Sequence, residues 1–288
     1  MTPLPTICLV IPYFGRWPFW MPYFFASCRH NSTINWLFYT DCGAVENCPA
    51  NVSIIHISFE AYCEKVSLML NIKFAPLHPY KLCDIRPAFG LIHKTELADF
   101  DFWAFGDIDL IYGDLRRYYT TERLNGKDIF ATHDRRLTGH LCIVRNNDEM
   151  NNAFKKVKNW ASDFANPNHL AFDEKAFSKL FLRHKNSALM RWLVSKFDRL
   201  LNRGEFTELY CTPNARIKWL DGSSNYPDTW FWNEGQLTND IDMDKQFLYL
   251  HFMVWKKSWL DPSSNLHSST SNINLKQFTI TKDGFSVT

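Results

Sequence analysis

The stretch Asp101–Leu115, DFWAFGDIDLIYGDL, decides how this chain is read. Four apolar residues, Phe102 to Phe105, run into Gly106 and then into two acids one residue apart, Asp107 and Asp109. A short apolar run alone does not separate a buried strand from a piece of buried helix. Its neighbours do. ICLVIP (Ile7 to Pro12), WLFYTD (Trp36 to Asp41) and VSIIHISF (Val52 to Phe59) are three more such runs, and the aromatic segment Phe19 to His30 between the first two suits a helix. Strands alternating with helices at this spacing give βαβ units and an α/β fold, with a mixed, mainly parallel sheet flanked by helices.

Further elements follow. Pro87 is tolerated in a first helical turn, so a helix is expected from about there through Ala88, Leu91 and Ile92 to Leu97. Ile129–Thr132, Leu141–Asn146 and Phe247–Phe252 read as strands. Met150, Phe154, Val157, Ala161 and Phe164 recur at helical spacing and predict one amphipathic helix. From about Asp261 the chain is rich in Ser, Asn and Thr. The simplest division is one domain over residues 1–260 and a loosely held C-terminal extension, or tail, over 261–288.

Composition narrows the classes. Of 288 residues 46% are hydrophobic and 22% charged, which is the balance of a chain with a real core. A net charge of +2 excludes bulk attraction to nucleic acid. The aromatic share of 16% fills a core and also suits sugar or base recognition. Eight cysteines without a C-x-x-C pair read as buried thiols in a reducing compartment. Prolines interrupt the apolar N-terminal residues, and no run approaches the ~20 residues that span a bilayer, so a cytoplasmic location is expected, including the inner membrane face. Arg183, Lys185, Arg191, Lys196, Arg199 and Arg203 lie among Leu, Met, Trp and Phe. That 183–203 segment reads as a solvated helix face or as a peripheral patch on an anionic membrane.

In an extended segment, side chains two apart point to one side, so Asp107 and Asp109 present two carboxylates together. At the C-terminal end of a strand in an open α/β sheet, where ligands bind, such a pair suits a hard divalent cation against phosphate oxygens. Gly106 would allow a ligand close to the backbone. Asp240-Ile241-Asp242 and Asp242-Met243-Asp244 repeat the pattern without a buried strand before them and read as a solvated acidic turn. Acids after an apolar strand also serve phosphoryl-transfer enzymes, but there a hydroxyl residue usually follows the pair, whereas Leu110 and Ile111 follow here. Downstream, HFMVWKKSW (His251 to Trp259) places a histidine at a strand end, two lysines after it. A histidine there suits a borderline ion such as Mn²⁺.

HFMVWKKSW is similar to the H-F-x-G-x-x-K-P-W signature of the family 8 retaining glycosyltransferases, with His251, Phe252, Lys257 and Trp259 in register. Val254 stands in place of the family's Gly and Ser258 in place of its Pro. LTGHLCIVRN (Leu137 to Asn146) resembles that family's acceptor-side strand, and FDEKAF (Phe172 to Phe177) its acidic helix start. KLCDIRPAFG and GDIDLIYGDL resemble glycosyltransferase-like proteins of bacterial surface-polysaccharide loci. The resemblance implies a GT-A (Rossmann-like) fold and a Mn²⁺ or Mg²⁺ ion held by Asp107, Asp109 and His251. It further implies Lys257 on the diphosphate of a nucleotide-sugar donor, a UDP-sugar first, with Tyr13 and Gly15 near its base and ribose. Asp84 and Arg86 are expected at ribose or phosphate, Asp84 reading equally as a helix-start residue and Arg86 as a surface ion pair. Asp173 and Glu174 are expected beside the reacting sugar, or as ordinary capping acids. Transfer to a glycan or lipid-linked acceptor with retention is the implied activity. A metal-dependent phosphohydrolase and a non-catalytic sugar-binding protein are the alternatives.

Overall fold

The computed structural model describes residues 3–182, 187–197, 199–209, 218–219, 221–223, 225–260 and 275–287. Eight strands come first: β1 (Ile7–Pro12), β2 (Ile34–Thr40), β3 (Val52–His56), β4 (Phe102–Gly106), β5 (Leu110–Tyr112), β6 (Ile129–Ala131), β7 (Leu141–Arg145) and β8 (Gly204–Phe206). Seven of them form one sheet in the order β3-β2-β1-β4-β7-β6-β8. The pairs β3–β2, β2–β1, β1–β4 and β6–β8 are parallel, and only β7 runs against its neighbours. The mixed, mainly parallel sheet expected from the alternation of runs is present.

Strand side chains alternate between faces, and both faces here are buried. In β1, Ile7, Leu9 and Ile11 join one core while Cys8 and Val10 join the other. In β4, Phe102 and Ala104 go one way, Trp103 and Phe105 the other. The helix Met21–His30 covers the first face with Phe24, Phe25 and Cys28. The helix Phe59–Leu70 covers the second with Tyr62, Val66 and Leu70. Ser58 starts it by accepting from the Ala61 amide, and Asn71 ends it in the left-handed conformation.

Five strands complete the chain: β9 (Thr229–Asn233), β10 (Gln236–Asn239), β11 (Tyr249–His251), β12 (Gln277–Thr281) and β13 (Gly284–Val287). β10-β9-β12-β13 is an antiparallel sheet. Residues 261–274 of the expected tail lie outside the described residues, but 277–287 are not loose. Phe278 and Ile280 are buried, and Phe278 and Phe285 pack on Tyr23 of the helix Met21–His30 at ring distances of 4.9 and 4.3 Å. β11 pairs antiparallel with β5, His251 opposite Leu110.

Three local expectations need correction. Residues Pro79–Ala88 form a 3-10 helix with Pro87 inside it, and only Phe89–Ile92 turns α-helical. Pro87 has no amide proton to donate, so an α-helix does not propagate through it. The predicted helix over Met150–Phe164 is broken into Asp148–Asn151, a 3-10 turn Ala153–Lys156 and Trp160–Ala165. Its apolar residues are buried as the periodicity requires, Met150, Phe154 and Phe164 among them. Polar side chains at the breaks favour local backbone bonds over helix: Asn147 caps Met150, and Asn152 bonds the Asp148 carbonyl. Finally, Asp242 of the acidic turn is buried rather than solvated.

Candidate metal centre at the sheet edge

β1 and β4 are adjacent and parallel, so Tyr13 and Asp107 leave the sheet at one edge. β7 enters at that edge beside β4, with Leu141 opposite Gly106, and the Asp107 amide donates to the His140 carbonyl at 3.0 Å. A cavity of about 700 Å³ opens there. Carboxyl ends of parallel strands are where open α/β sheets bind ligands.

The β5–β11 ladder closes the site. It aligns residues 137 to 141 positions apart, and the Phe252 amide reaches the Asp109 carbonyl at 3.3 Å. His251 Nε2 consequently lies 3.4 Å from Asp109 Oδ2. One ligand atom each from Asp107, Asp109 and His251 fall within 4.8 Å of one another. The His251 ring also packs on His140 at 4.4 Å between ring centres. His140 Nε2 meets the Tyr249 hydroxyl at 2.7 Å, which in turn donates to Thr132. Burial, with His251 adding, holds His140 well below the usual histidine range, so its ring is neutral.

Two cations sit on the two aspartates. Arg86 donates to Asp107 Oδ1 and, at 2.6 Å, to the Gly139 carbonyl, with Asp173 Oδ2 3.9 Å away. Lys256 Nζ lies 2.5 Å from Asp109 Oδ2. Burial alone would raise the Asp109 carboxyl, but the close approach of His251 and Lys256 outweighs it and holds the group below the usual carboxylate range. The close ammonium is not aligned, and Asp109 Oδ2 and His251 Nδ1 are buried with no hydrogen bond of good geometry among the described residues. Two carboxylates, an imidazole and a buried carboxylate oxygen left without an aligned donor fit a hard or borderline divalent cation.

Asp173 and Glu174 reach the same cavity from the π-helical turn Asp173–Phe177. Burial pushes the Asp173 carboxyl up to about 7, with Arg86 opposing and Glu174 adding to the rise. Glu174 meets Arg136 at 3.3 Å. Gly139 sits close beneath these groups: a Cβ on it would stand 3.0 Å from Arg86 Nη1 and 3.2 Å from Asp173 Oδ2. Gly106 lines the cavity, and a Cβ on it would also stand 3.3 Å from the His140 carbonyl and from the Tyr112 hydroxyl.

Of the residues singled out in the sequence, Tyr13, Arg86, Asp107, Asp109, Asp173, Glu174 and His251 line this cavity. Tyr13 stacks on Trp17 at 5.7 Å, and burial pushes its phenol up to about 12. Gly15, Asp84 and Lys257 are not among the lining residues. Gly15 is held nearby, its amide on Asp41 at 2.7 Å. Asp84 is fully buried, accepts from Lys81 Nζ at 2.7 Å and from the Leu170 and Phe172 amides, and so fixes the approach to Asp173. Asn146 bonds the Leu97 and Phe100 carbonyls, which makes it structural.

Lys257 is exposed and does not line the cavity, whereas its neighbour Lys256 does. The helix Met253–Trp259 buries Trp255 and Trp259. At about 100° per residue these define the core side, and Lys257 falls opposite them while Lys256 lies at its border. That tryptophan spacing is the sequence signal for choosing the other lysine. His140 and Arg136 had no comparable signal, because nothing in their own segment reports what β4 and the Asp173 turn bring to them.

The sheet edge thus defines an acidic, histidine-containing cation site backed by two basic side chains. Residues 9–288 match the model of a family of unknown function, DUF6625, and the chain belongs to that family. No curated protein matches it. Among solved structures it is similar to apo mouse xyloside xylosyltransferase 1, at 10% identity over 70% of this chain and 95% of that one, with a TM-score of 0.35. It is also similar to the galactosyltransferase LgtC in complex with donor and acceptor sugar analogues (11%, 59% and 71%, 0.33). A third is the glycosyltransferase GlyE of Streptococcus pneumoniae TIGR4 (12%, 71% and 45%, 0.29). Likenesses this distant leave function to be argued from the site itself.

Proposed function

We propose that this protein is a metal-dependent glycosyltransferase that takes a nucleotide-sugar donor, a UDP-sugar first, in the cavity at the edge of β1 and β4. The observation that carries the reading is the convergence of Asp107, Asp109 and His251 within 4.8 Å, facing a cavity of about 700 Å³ with Arg86 and Lys256 on its wall. The three residues would hold Mn²⁺ or Mg²⁺, which supplies neutralisation of the donor diphosphate.

In this reading Lys256 leaves Asp109 for a phosphate oxygen and stabilises the charge that develops there as the bond to the anomeric carbon breaks. Arg86, fixed on the Gly139 carbonyl, orients Asp107 and faces Asp173. Asp173 and Glu174 border the space for the reacting sugar, and an acceptor hydroxyl replaces the phosphate oxygen on the anomeric carbon, passing its proton to the departing phosphate oxygen. Tyr13, backed by Trp17, offers the base a flat surface. Retention follows from the family 8 resemblance, and the lipid-linked or soluble glycan acceptor of a surface polysaccharide is part of the same proposal.

The test is consumption of UDP- and GDP-sugars by the full chain with Mn²⁺, against the same assay in EDTA and with Asp109→Ala. Metal-dependent release of nucleoside diphosphate that disappears in Asp109→Ala is the expected result. Turnover of a simple phosphate ester with no sugar nucleotide consumed would favour the phosphohydrolase. Unchanged melting with every nucleotide and Mn²⁺, and no turnover, would sink both. Proton NMR of the product anomer decides retention, and a β-linked product from an α-linked donor would overturn it.

A further inference from the structure

The helix Ala188–Ser195 and the turn after it carry their apolar stripe outward. Leu189, Trp192, Leu193 and Phe197 are 66%, 56%, 40% and 91% exposed, with Met190 beside them also exposed. Their spacing is i, i+3, i+4 and i+8, the pattern by which a surface helix normally faces a core. The Lys196 and Phe197 amides continue the turns, bonding the Leu193 and Val194 carbonyls. A contiguous exposed apolar stripe of this kind marks a contact surface.

Its chemistry selects the partner. Lys196 at i+7 lies on the same stripe, its Nζ 3.7 Å from the Trp192 ring centre. In sequence alone, Arg183, Lys185, Arg191 and Arg199 flank the stripe against one acid, Asp198; of these, Arg183, Lys185 and Asp198 lie outside the described residues. Arg203 is withdrawn, since it is paired with Asp128 and Glu149. An outward row of Leu, Trp and Phe set among basic residues matches a helix lying in the headgroup layer of an anionic bilayer, with Trp at the interface. No helix among the described residues is long and apolar enough to cross a membrane, so contact through this stripe would be peripheral.

We propose that Leu189, Trp192, Leu193 and Phe197 dock this protein on an anionic lipid surface, with Lys196 and its basic neighbours supplying the attraction. The helix follows the turn of Asp173 and Glu174 within about one further helix of chain, so docking would present the cavity to acceptors at the membrane. The docking itself does not depend on what the cavity does.

The experiment is co-sedimentation of the full chain with vesicles of phosphatidylcholine and with vesicles carrying about one third phosphatidylglycerol. Binding to the anionic vesicles, weakened by salt and reduced at least about tenfold in Trp192→Glu/Phe197→Glu, is expected. Lys196→Glu, which leaves the apolar stripe intact, should weaken anionic binding and narrow the contrast with neutral vesicles. No sedimentation of wild type with anionic vesicles at low salt would overturn the proposal. So would equal binding to neutral vesicles, or binding that both variants leave unchanged. Light scattering that shows a dimer abolished by Trp192→Glu/Phe197→Glu, with no vesicle binding, would reassign the stripe to a second copy of the chain. Consumption of a UDP-sugar without vesicles, unchanged in these variants, separates this outcome from failure of the catalytic reading.

Discussion

Replacing Lys256 and Lys257 in parallel separates two adjacent lysines that helical phase sets on different sides of Met253–Trp259. Asp109 is 2% exposed, and Lys256 Nζ is the ammonium within 2.5 Å of it. Lys256→Ala therefore leaves a buried carboxylate short of its counter-charge. Breaking a fully buried pair costs about 3–5 kcal/mol. The Lys256 side chain is itself 35% exposed and His251 remains, so a loss of about 1–3 kcal/mol is expected, or a Tm lowered by about 2–5 °C in a chain of this length. Exposed Lys257→Ala should move Tm by no more than about 1 °C. Metal binding should run the other way. The ammonium repels a dication at Asp109, so its removal should tighten Mn²⁺, by on the order of tenfold given that it can swing into solvent. Donor turnover should nevertheless fall by on the order of 100-fold, as for loss of one charge-stabilising donor. Calorimetric titration with Mn²⁺, thermal melts and UDP release on both variants make the comparison. Weaker Mn²⁺ binding in Lys256→Ala, or equal effects from Lys257→Ala, would refute the reasoning.

Three other outcomes follow from the structure. Asp173 has its carboxyl raised, so its contribution to stability is complete below pH ~4 and is lost as pH rises to about 7. Asp173→Asn should match wild type near pH 4 and gain on the order of 3 kcal/mol above pH 7 in urea midpoints, and a flat difference would remove the buried-acid account. Asp84→Asn strands the buried Lys81 ammonium and loosens the amides of Leu170 and Phe172, costing about 3–5 kcal/mol, and a Tm within 2 °C of wild type would count against it. Gly90→Ala would put a Cβ 2.2 Å from Asn151 Oδ1 and 2.4 Å from Trp103 Nε1, breaking their 2.7 Å hydrogen bond, so a loss of about 1–3 kcal/mol is expected by denaturant titration and a neutral result would contradict the packing.

The parts of this fold legible in the sequence are those whose signal is local. Buried on both sides, β1, β2 and β4 read as unbroken apolar runs, and their alternation gives the sheet. Asp107 and Asp109 were visible because the strand before them was. His251 was a ligand candidate from its strand-end position and was joined to the two aspartates by a resemblance, since no property of its own segment reports the β5–β11 ladder that carries it there. The Met150–Phe164 segment kept its buried positions but not its helix, because asparagines at the breaks satisfy backbone groups locally. Asp84 read equally as a ribose or phosphate contact and as a helix-start residue, and it braces Lys81 and the Leu170 and Phe172 amides: a charge beside a site and a charge inside it have the same spelling. Lys256 against Lys257 turned on helical phase, which the two tryptophans encode.

The β5–β11 ladder has a consequence for how the protein comes into being. During synthesis both aspartates leave the ribosome long before Tyr249–His251, and until β11 zips onto β5 the imidazole and Lys256 are absent from their side. An incomplete chain, or one cut ahead of Tyr249, carries the acidic half of the site alone. About the last seventh of the sequence, from Tyr249 on, thus closes the candidate site, which is complete only once that stretch has been made and folded back onto β5.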